Sequence, residues 1–495
     1  MTGFDLIIRG GTVIDGSRAP RFDADVGVID GRIAAVGDLS AARAADEFDA
    51  RARIVAPGFI DCHTHDDQAL LSQPDMGFKV SQGVTTVIAG NCGISLFPLG
   101  ADTPLPPPLN ILDPGEQARF ATLRAYFDEL RRRPPAVNVA TLVGHTTLRA
   151  RTMARLDRAA DSDEIESMST LLAQALDDGA LGMSTGAFYP PSRHASTAEI
   201  IGVGRPLGGR GGLYVTHMRD EAAQVMESLD ETFLIGRELG VPVVISHHKV
   251  HNRPNFGRSS ETLASIRRAM QQQCVALDCY PYDAGSTVIT SDRGMLEGRV
   301  LIASSVPHPE CAGRELDDIA AEWGVSKEAA AQRLAPGSAV YFLMDERDVQ
   351  AILAFDETMI GSDGIPVGER PHPRLWGTFP RVLGHYSRRL GLFPLETAVW
   401  KMTGLTARNF GLAGRGRLAP GYAADIVVFD AQAVIDRADY DQPTRPAAGI
   451  DAVLVNGRLT WSQGRHLGAR AGQVLTRDPA AVARYACPAA GEPLP

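Results

Sequence analysis

Apolar and polar positions alternate at both ends of the chain and follow a different rhythm between them. Residues 5 to 15 (DLIIRGGTVID) and 25 to 37 (DVGVIDGRIAAVG) set β-branched apolar residues against polar ones around Gly-Gly and Asp-Gly, which predicts β-hairpins. The same texture returns in AADIVVFD (423 to 430) and DAVLVNGRLTWSQG (451 to 464). The two ends are expected to pair into one small β-sandwich, residues 1 to 56 with 415 to 495, beside a central domain of residues 57 to 414. In that centre short apolar runs alternate with helical segments, the signature of βα units around a parallel sheet.

Eight such runs can be counted: IVAPGFIDCHTH, VTTVIAGNC, NVATLVGH, ALGMSTG, LYVTH, VPVVISHH, VALDCYPY and TMIGSDG. Between them, SDEIESMSTLLAQALDDGA places Ile165, Met168, Leu171, Leu172 and Leu176 at helical spacing, with Asp and Glu in its first turn. A doubly wound open sheet uses the same units. What separates the two is that nearly every run ends in a residue fit for chemistry: His63 and His65, Cys92, His145, Ser184, His217, His247, Tyr280 and Asp363. In an α/β fold closed as a (β/α)8 TIM-like barrel, those strand ends converge on one mouth. One connection, about 285 to 343, is too long for a helix and two turns and holds the amphipathic stretch GRELDDIAAEWGVSKEAAAQRLA. It is expected to be a small insertion after strand seven that lies over the mouth as a lid.

Composition narrows the function classes. A chain of 495 residues exceeds one hydrophobic core. The net charge of −10 lacks a balancing basic stripe and disfavours nucleic acid; Arg131 to Arg133 reads as a solvated helix end. No apolar run is long enough to span a bilayer, and MTGFDLIIRGGTVIDG lacks the basic-then-apolar pattern of an export signal, so a cytoplasmic protein with no membrane partner is expected. Six cysteines are too sparse for a disulfide scaffold, which leaves a thiol free to bind metal.

In GFIDCHTHDD the two histidines stand one residue apart, so in an extended strand both imidazoles meet one ion. Cysteine and histidine together suit Zn²⁺, and three protein ligands would leave one position for water, whose pKa zinc lowers to about 7. Asp363 in IGSDG closes the eighth run, where a carboxylate could take a proton from that water and pass it to a leaving nitrogen. His248 would point away from His247 and is read as a packing or supporting residue. His145 is read as a contact of the substrate or of a ligand.

PGFIDCHTHDD, GNCGIS, GLYVTHMRDE, ISHHKV, CYPY, IGSDG and TGLTARNFGLAGRGRLAPGYAADIVVFD resemble the amidohydrolase superfamily and, within it, the N-acyl-D-amino-acid deacylases. The resemblance runs nearly the whole length, and the cysteine of GNCG is its most specific mark. It implies a (β/α)8 barrel beside a β-sandwich, with zinc at the mouth. It also implies a tight metal site matching Cys92, His217 and His247, and a second position matching His63, His65 and Asp363 that is weaker or empty. The implied reaction is zinc-dependent hydrolysis of an N-acyl-D-amino acid, a small-molecule substrate whose free carboxylate needs cations in reach. Lys249 leaves its strand on the side of His247, Arg374 follows the eighth run with a fork suited to a carboxylate, and Tyr280 can donate its hydroxyl. These match the family's carboxylate-binding residues, with Ser286 a further candidate. Arg293, shortly after Tyr280, is a candidate partner for a second carboxylate, as in an N-acyl-D-glutamate or N-acyl-D-aspartate.

Two other readings stand beside this one. A cyclic-amide hydrolase resembling hydantoinases and dihydroorotases would need a carboxylated lysine on the fourth strand, and no lysine lies between Lys79 and Lys249. A metal-free structural or interaction protein of the same fold should have lost strand-end ligands, all of which are present.

Overall fold

The computed structural model describes residues 3–112 and 119–476. The last part of the C-terminal β-rich segment expected from the sequence, residues 477–495, lies outside the described residues. Eight parallel strands form the centre: β1 (Phe59–Asp61), β2 (Val84–Ala89), β3 (Asn138–Thr141 continued by Val143–Gly144), β4 (Gly182–Gly186), β5 (Leu213–His217), β6 (Val243–Ile245), β7 (Val275–Cys279) and β8 (Thr358–Ile360). Each pairs with the next in chain order, and a parallel bridge from Thr64 to Gly364 joins the last to the first. The ring is closed, which removes both sheet edges. Its strands are buried on both faces, hence the continuous apolar runs in the sequence. Ile60, Ile88, Ala140, Leu181, Val215, Val244, Ala276 and Met359 fill the interior as one cluster, so the barrel is a packed core with its chemistry confined to one end.

Connecting helices pack outside. Ser162–Asp177 starts from a capping box in which Asp161 accepts from the Glu164 amide and Glu164 reaches back to the Asp161 amide. It buries Met168, Leu172 and Leu176. Strands from both chain ends make one mixed nine-stranded sheet, joined where Ile426–Phe429 pairs antiparallel with Ile54–Pro57. Ile8, Val26, Val28, Ile426, Val428 and Leu454 form its core.

Between β7 and β8 the chain forms a three-stranded antiparallel sheet, Gly285–Val288, Gly337–Phe342 and Arg299–Ser305. The helices Leu316–Trp323 and Lys327–Leu334 close it around Ile302, Ile319, Leu334 and Tyr341. This insertion has its own core and still lends residues to the mouth of the barrel. Among the described residues no helix is long and apolar enough to cross a membrane.

Candidate metal centre and substrate pocket

The candidate donor residues stand where strands break. Cys92, His247 and Asp363 all have positive φ, 51°, 35° and 48°, a region that non-glycine residues enter at a cost of about 1–3 kcal/mol and that clusters at functional sites. Each break turns the side chain inward from the strand end. The surroundings hold these turns: Gly93 donates its amide to Ser184 Oγ at 3.0 Å and Ser184 donates to the carbonyl of Gly90, pinning the Cys92 loop to β4. The Asp363 amide donates to His63 O at 2.8 Å, and the His247 amide donates to Asp278 Oδ1 at 2.9 Å.

The side chains converge. Cys92 Sγ lies 3.3 Å from His247 Nε2, which lies 2.9 Å from His217 Nδ1. On its other side Cys92 Sγ is 3.2 Å from His63 Nε2. His63 Nε2 and His65 Nε2 stand 3.5 and 3.2 Å from Asp363 Oδ1. All six residues are buried. Ligand atoms of His63, Cys92, His247 and Asp363 all lie within 4.8 Å of one another, and so do those of His217, Glu221 and His247, so two groups that share His247 could each hold an ion. Thiolate, imidazole and carboxylate are all donors that zinc accepts, at about 2.0–2.3 Å, so the donor chemistry of the cluster fits a zinc ion.

The electrostatics prepare the anionic ligands. Burial disfavours the Cys92 thiolate, but the imidazoles of His63, His247 and His217 outweigh it and hold the thiol well below its usual pKa. Burial likewise opposes ionisation of Asp363. The Arg374 guanidinium, with His247, His65 and His63, holds the carboxyl well below the usual range.

Of the expected substrate contacts, the structure gathers Lys249, Tyr280, Ser286 and Arg374. With Phe188, Tyr189, Met295, Tyr341 and Leu343, the first three of these line a pocket of about 440 Å³, open solvent at its mouth included. Arg374 stacks on Tyr280 at 4.5 Å from the ring centroid, places one nitrogen 2.8 Å from Asp363 Oδ2, and donates from the other to Ser286 O at 3.0 Å. Arg293 does not join them. Its side chain is 89 % exposed and faces Glu328 at 3.4 Å on the insertion's outer helix. The sequence placed it near the mouth, but its neighbour Met295 is the residue that turns in.

His248 donates or accepts at Thr262 Oγ1, 2.9 Å away, the packing role expected of it. His145 is drawn into a buried network with Glu199, at 3.3 Å, and Arg149, away from the pocket lining. Two carboxylates went unnoticed in the sequence. Asp278, at the end of β7, meets His63 Nδ1 at 3.4 Å besides the His247 amide, and Glu221 meets His247 Nδ1 at 3.1 Å. A strand-end Asp in VALDC and a Glu four residues after His217 were the available signals, since metal-binding histidines need an acceptor on the second nitrogen.

The donor cluster stands at the strand ends of a closed barrel, and the sequence comparison gives the family to which this arrangement belongs. The amidohydrolase family model matches residues 46–238 and 322–461, and the chain belongs to that family. Within it the chain groups with the N-acyl-D-amino-acid deacylases. It is 59 % identical to the D-aminoacylase of Alcaligenes xylosoxydans xylosoxydans, over 96 % of this chain and 98 % of that one. The N-acyl-D-aspartate and N-acyl-D-glutamate deacylases of the same organism are 50 % and 48 % identical, covering 95 % and 96 % of this chain and 95 % and 97 % of theirs. Among solved structures, a D-aminoacylase described by its binuclear metal centre superposes with a TM-score of 0.94 at 60 % identity, covering 96 % of this chain and all of that one. The N-acyl-D-glutamate deacylase of Bordetella bronchiseptica, solved with zinc and a phosphonate mimic of the tetrahedral intermediate, gives 0.92 at 47 %, with the same coverage.

Proposed function

We propose that this protein hydrolyses the amide bond of N-acyl-D-amino acids to a carboxylate and a free D-amino acid, with one zinc held tightly by Cys92, His217 and His247. A weaker second position would use His63, His65 and Asp363. The observation that carries this reading is the convergence of the Cys92, His217 and His247 donor atoms beside an ionised Asp363 in a pocket that holds Lys249. Zinc, when bound, supplies Lewis acidity, which polarises an amide carbonyl and acidifies water. Asp363, ionised at neutral pH, takes a proton from the attacking water and returns it to the leaving nitrogen as the C–N bond breaks. Lys249 and Arg374 hold the substrate carboxylate, and Tyr280 supports the guanidinium as a stacked platform. A hydantoinase-like reaction lacks support, because β4 offers Ser184 and Thr185 where a carboxylated lysine would stand.

A specific observation bears on the substrate side chain. The pocket wall is built from Phe188, Met295, Tyr341 and Leu343, while Arg293 faces outward. That wall favours an apolar D side chain over an acidic one. A panel of N-acetyl-D- and L-amino acids with free-amine detection, run beside zinc analysis, tests the whole reading. Turnover of D-leucine or D-methionine derivatives with about one zinc per chain is expected, and Cys92→Ala should lose both. Turnover confined to L-derivatives, or a Cys92→Ala variant with parental zinc and rate, would refute it.

A further inference from the structure

One buried carboxylate at the mouth has no part in the reaction as written. Glu221 is 3 % exposed and lines the pocket, and its oxygens face four nitrogens. Lys249 Nζ donates to both oxygens, at 2.9 and 3.0 Å, and His247 Nδ1 lies 3.1 Å from Oε1. Nε2 of His217 and Nε2 of His251 each lie 3.7 Å from Oε2. The backbone is tied in as well, since the His251 amide donates to the Glu221 carbonyl at 2.7 Å.

We propose that Glu221 is a positioning residue that couples the metal ligands to the substrate-binding ammonium. His247 turns Nε2 toward Cys92 and His217, so its ring orientation is set by what Nδ1 meets. Lys249 Nζ also approaches that Nδ1, at 2.6 Å, but an ammonium has no acceptor to offer. Glu221 Oε1 is an acceptor within reach of Nδ1. A carboxylate on the far nitrogen fixes the ring and raises its basicity toward a metal. The same carboxylate holds Lys249 Nζ at both of its oxygens and so sets where the ammonium stands in the pocket lining, 5.6 Å from the Tyr280 ring centroid. Asp363 does not substitute for it, being engaged by Arg374 and His65. One side chain therefore fixes a metal ligand and places the cation offered to the substrate.

The substrate half of this inference rests on the deacylase reading; the metal half does not. The test uses the full-length zinc protein and its Glu221→Gln, Glu221→Asp, Lys249→Met and Glu221→Gln/Lys249→Met variants. Zinc affinity is read by chelator competition, and kcat and KM on the best N-acetyl-D-amino acid at saturating zinc. Glu221→Gln should weaken zinc about 10- to 100-fold and raise KM more than it lowers kcat, with Glu221→Asp between it and the parent. Lys249→Met should raise KM and keep parental zinc affinity, and the double variant's KM should not exceed that of the worse single. Parental zinc affinity and KM in Glu221→Gln, or KM effects that add fully in the double variant, would overturn the proposal. Should Glu221→Gln not fold, parental values of both constants in Glu221→Asp overturn it equally. If the parent turns over no N-acyl-D-amino acid, the deacylase reading fails, and the zinc competition still decides the hold on His247.

Discussion

Asp363, proposed as the proton carrier, puts the reaction to the test at a single residue. Its carboxylate is shared by Arg374 on one oxygen and by the His63 and His65 imidazoles on the other, which keeps it ionised and aims it at the mouth. Asp363→Asn keeps the size and removes the charge, so on the proposed reaction the proton carrier is lost while Cys92, His217 and His247 are left to hold the metal. We expect parental zinc content and a rate lower by about 10²- to 10⁴-fold, the usual contribution of a general acid–base group. Zinc analysis with steady-state rates checks this, and a variant within about threefold of the parent would remove Asp363 from the reaction. That His63, His65, Cys92, His217, His247 and Asp363 come together was legible in the sequence, because barrel topology sends strand ends to one place; that Glu221 and Asp278 join them was not. Their backbone was not. No local pattern announces that Cys92, His247 and Asp363 sit at positive φ, since that conformation is imposed by neighbouring strands and persists only where the surroundings over-determine it.

At the scale of elements, the eight strands could be counted from their apolar runs because parallel strands buried on both faces leave no alternation to misread. What holds helices onto that barrel was less visible, and His145 shows why. It stands at a strand end like the ligands, yet it begins the helix His145–Thr152 and faces Glu199 on the helix Thr197–Gly204. Arg149 pairs with the same carboxylate and also donates to the carbonyls of Pro191, Leu156 and Arg158. Burial opposes the charge of Glu199, but His145, Arg149 and the Ala160 amide overcome it and bring its pKa from the ordinary 4.5 to about 2. A carboxyl with a lowered native pKa stabilises the fold above the unfolded value, and that stabilisation drains away as pH falls from about 4.5 to about 2. Glu199→Gln leaves Arg149 buried without its anion, so denaturant melts at neutral pH should show a loss of about 3–5 kcal/mol. The variant should also lose the part of the acid sensitivity that lies between those two pH values. An unchanged slope of stability against pH in that window would show that Glu199 is not ionised in the folded protein.

At the scale of the whole molecule, the insertion between β7 and β8 supplies Met295, Tyr341 and Leu343 to the pocket wall. Its existence was legible from the length of the connection, but the direction of its residues was not, because an irregular loop carries no period from which facing can be read. The segment from Ser291 to Met295 illustrates the ambiguity: Arg293 and Met295 are two residues apart, and only Met295 reaches the pocket. Arg293 instead meets Glu328 across the outer surface, where solvent screens the pair. A buried partner for an acidic substrate would matter far more, about 3–5 kcal/mol when broken, so the two placements differ by orders of magnitude in turnover. With Arg293 outside, Arg293→Leu should leave kcat/KM for N-acetyl-D-leucine within about twofold of the parent and should change the slow turnover of N-acetyl-D-glutamate no more than that. Met295→Arg, which puts a cation on the inner wall, should lower the D-leucine value at least tenfold, because a charge without a partner is desolvated against Leu343 and Tyr341. Parallel kinetics on both substrates measure this directly. A selective collapse of D-glutamate turnover in Arg293→Leu would mean that the insertion closes further over bound substrate and carries Arg293 inward.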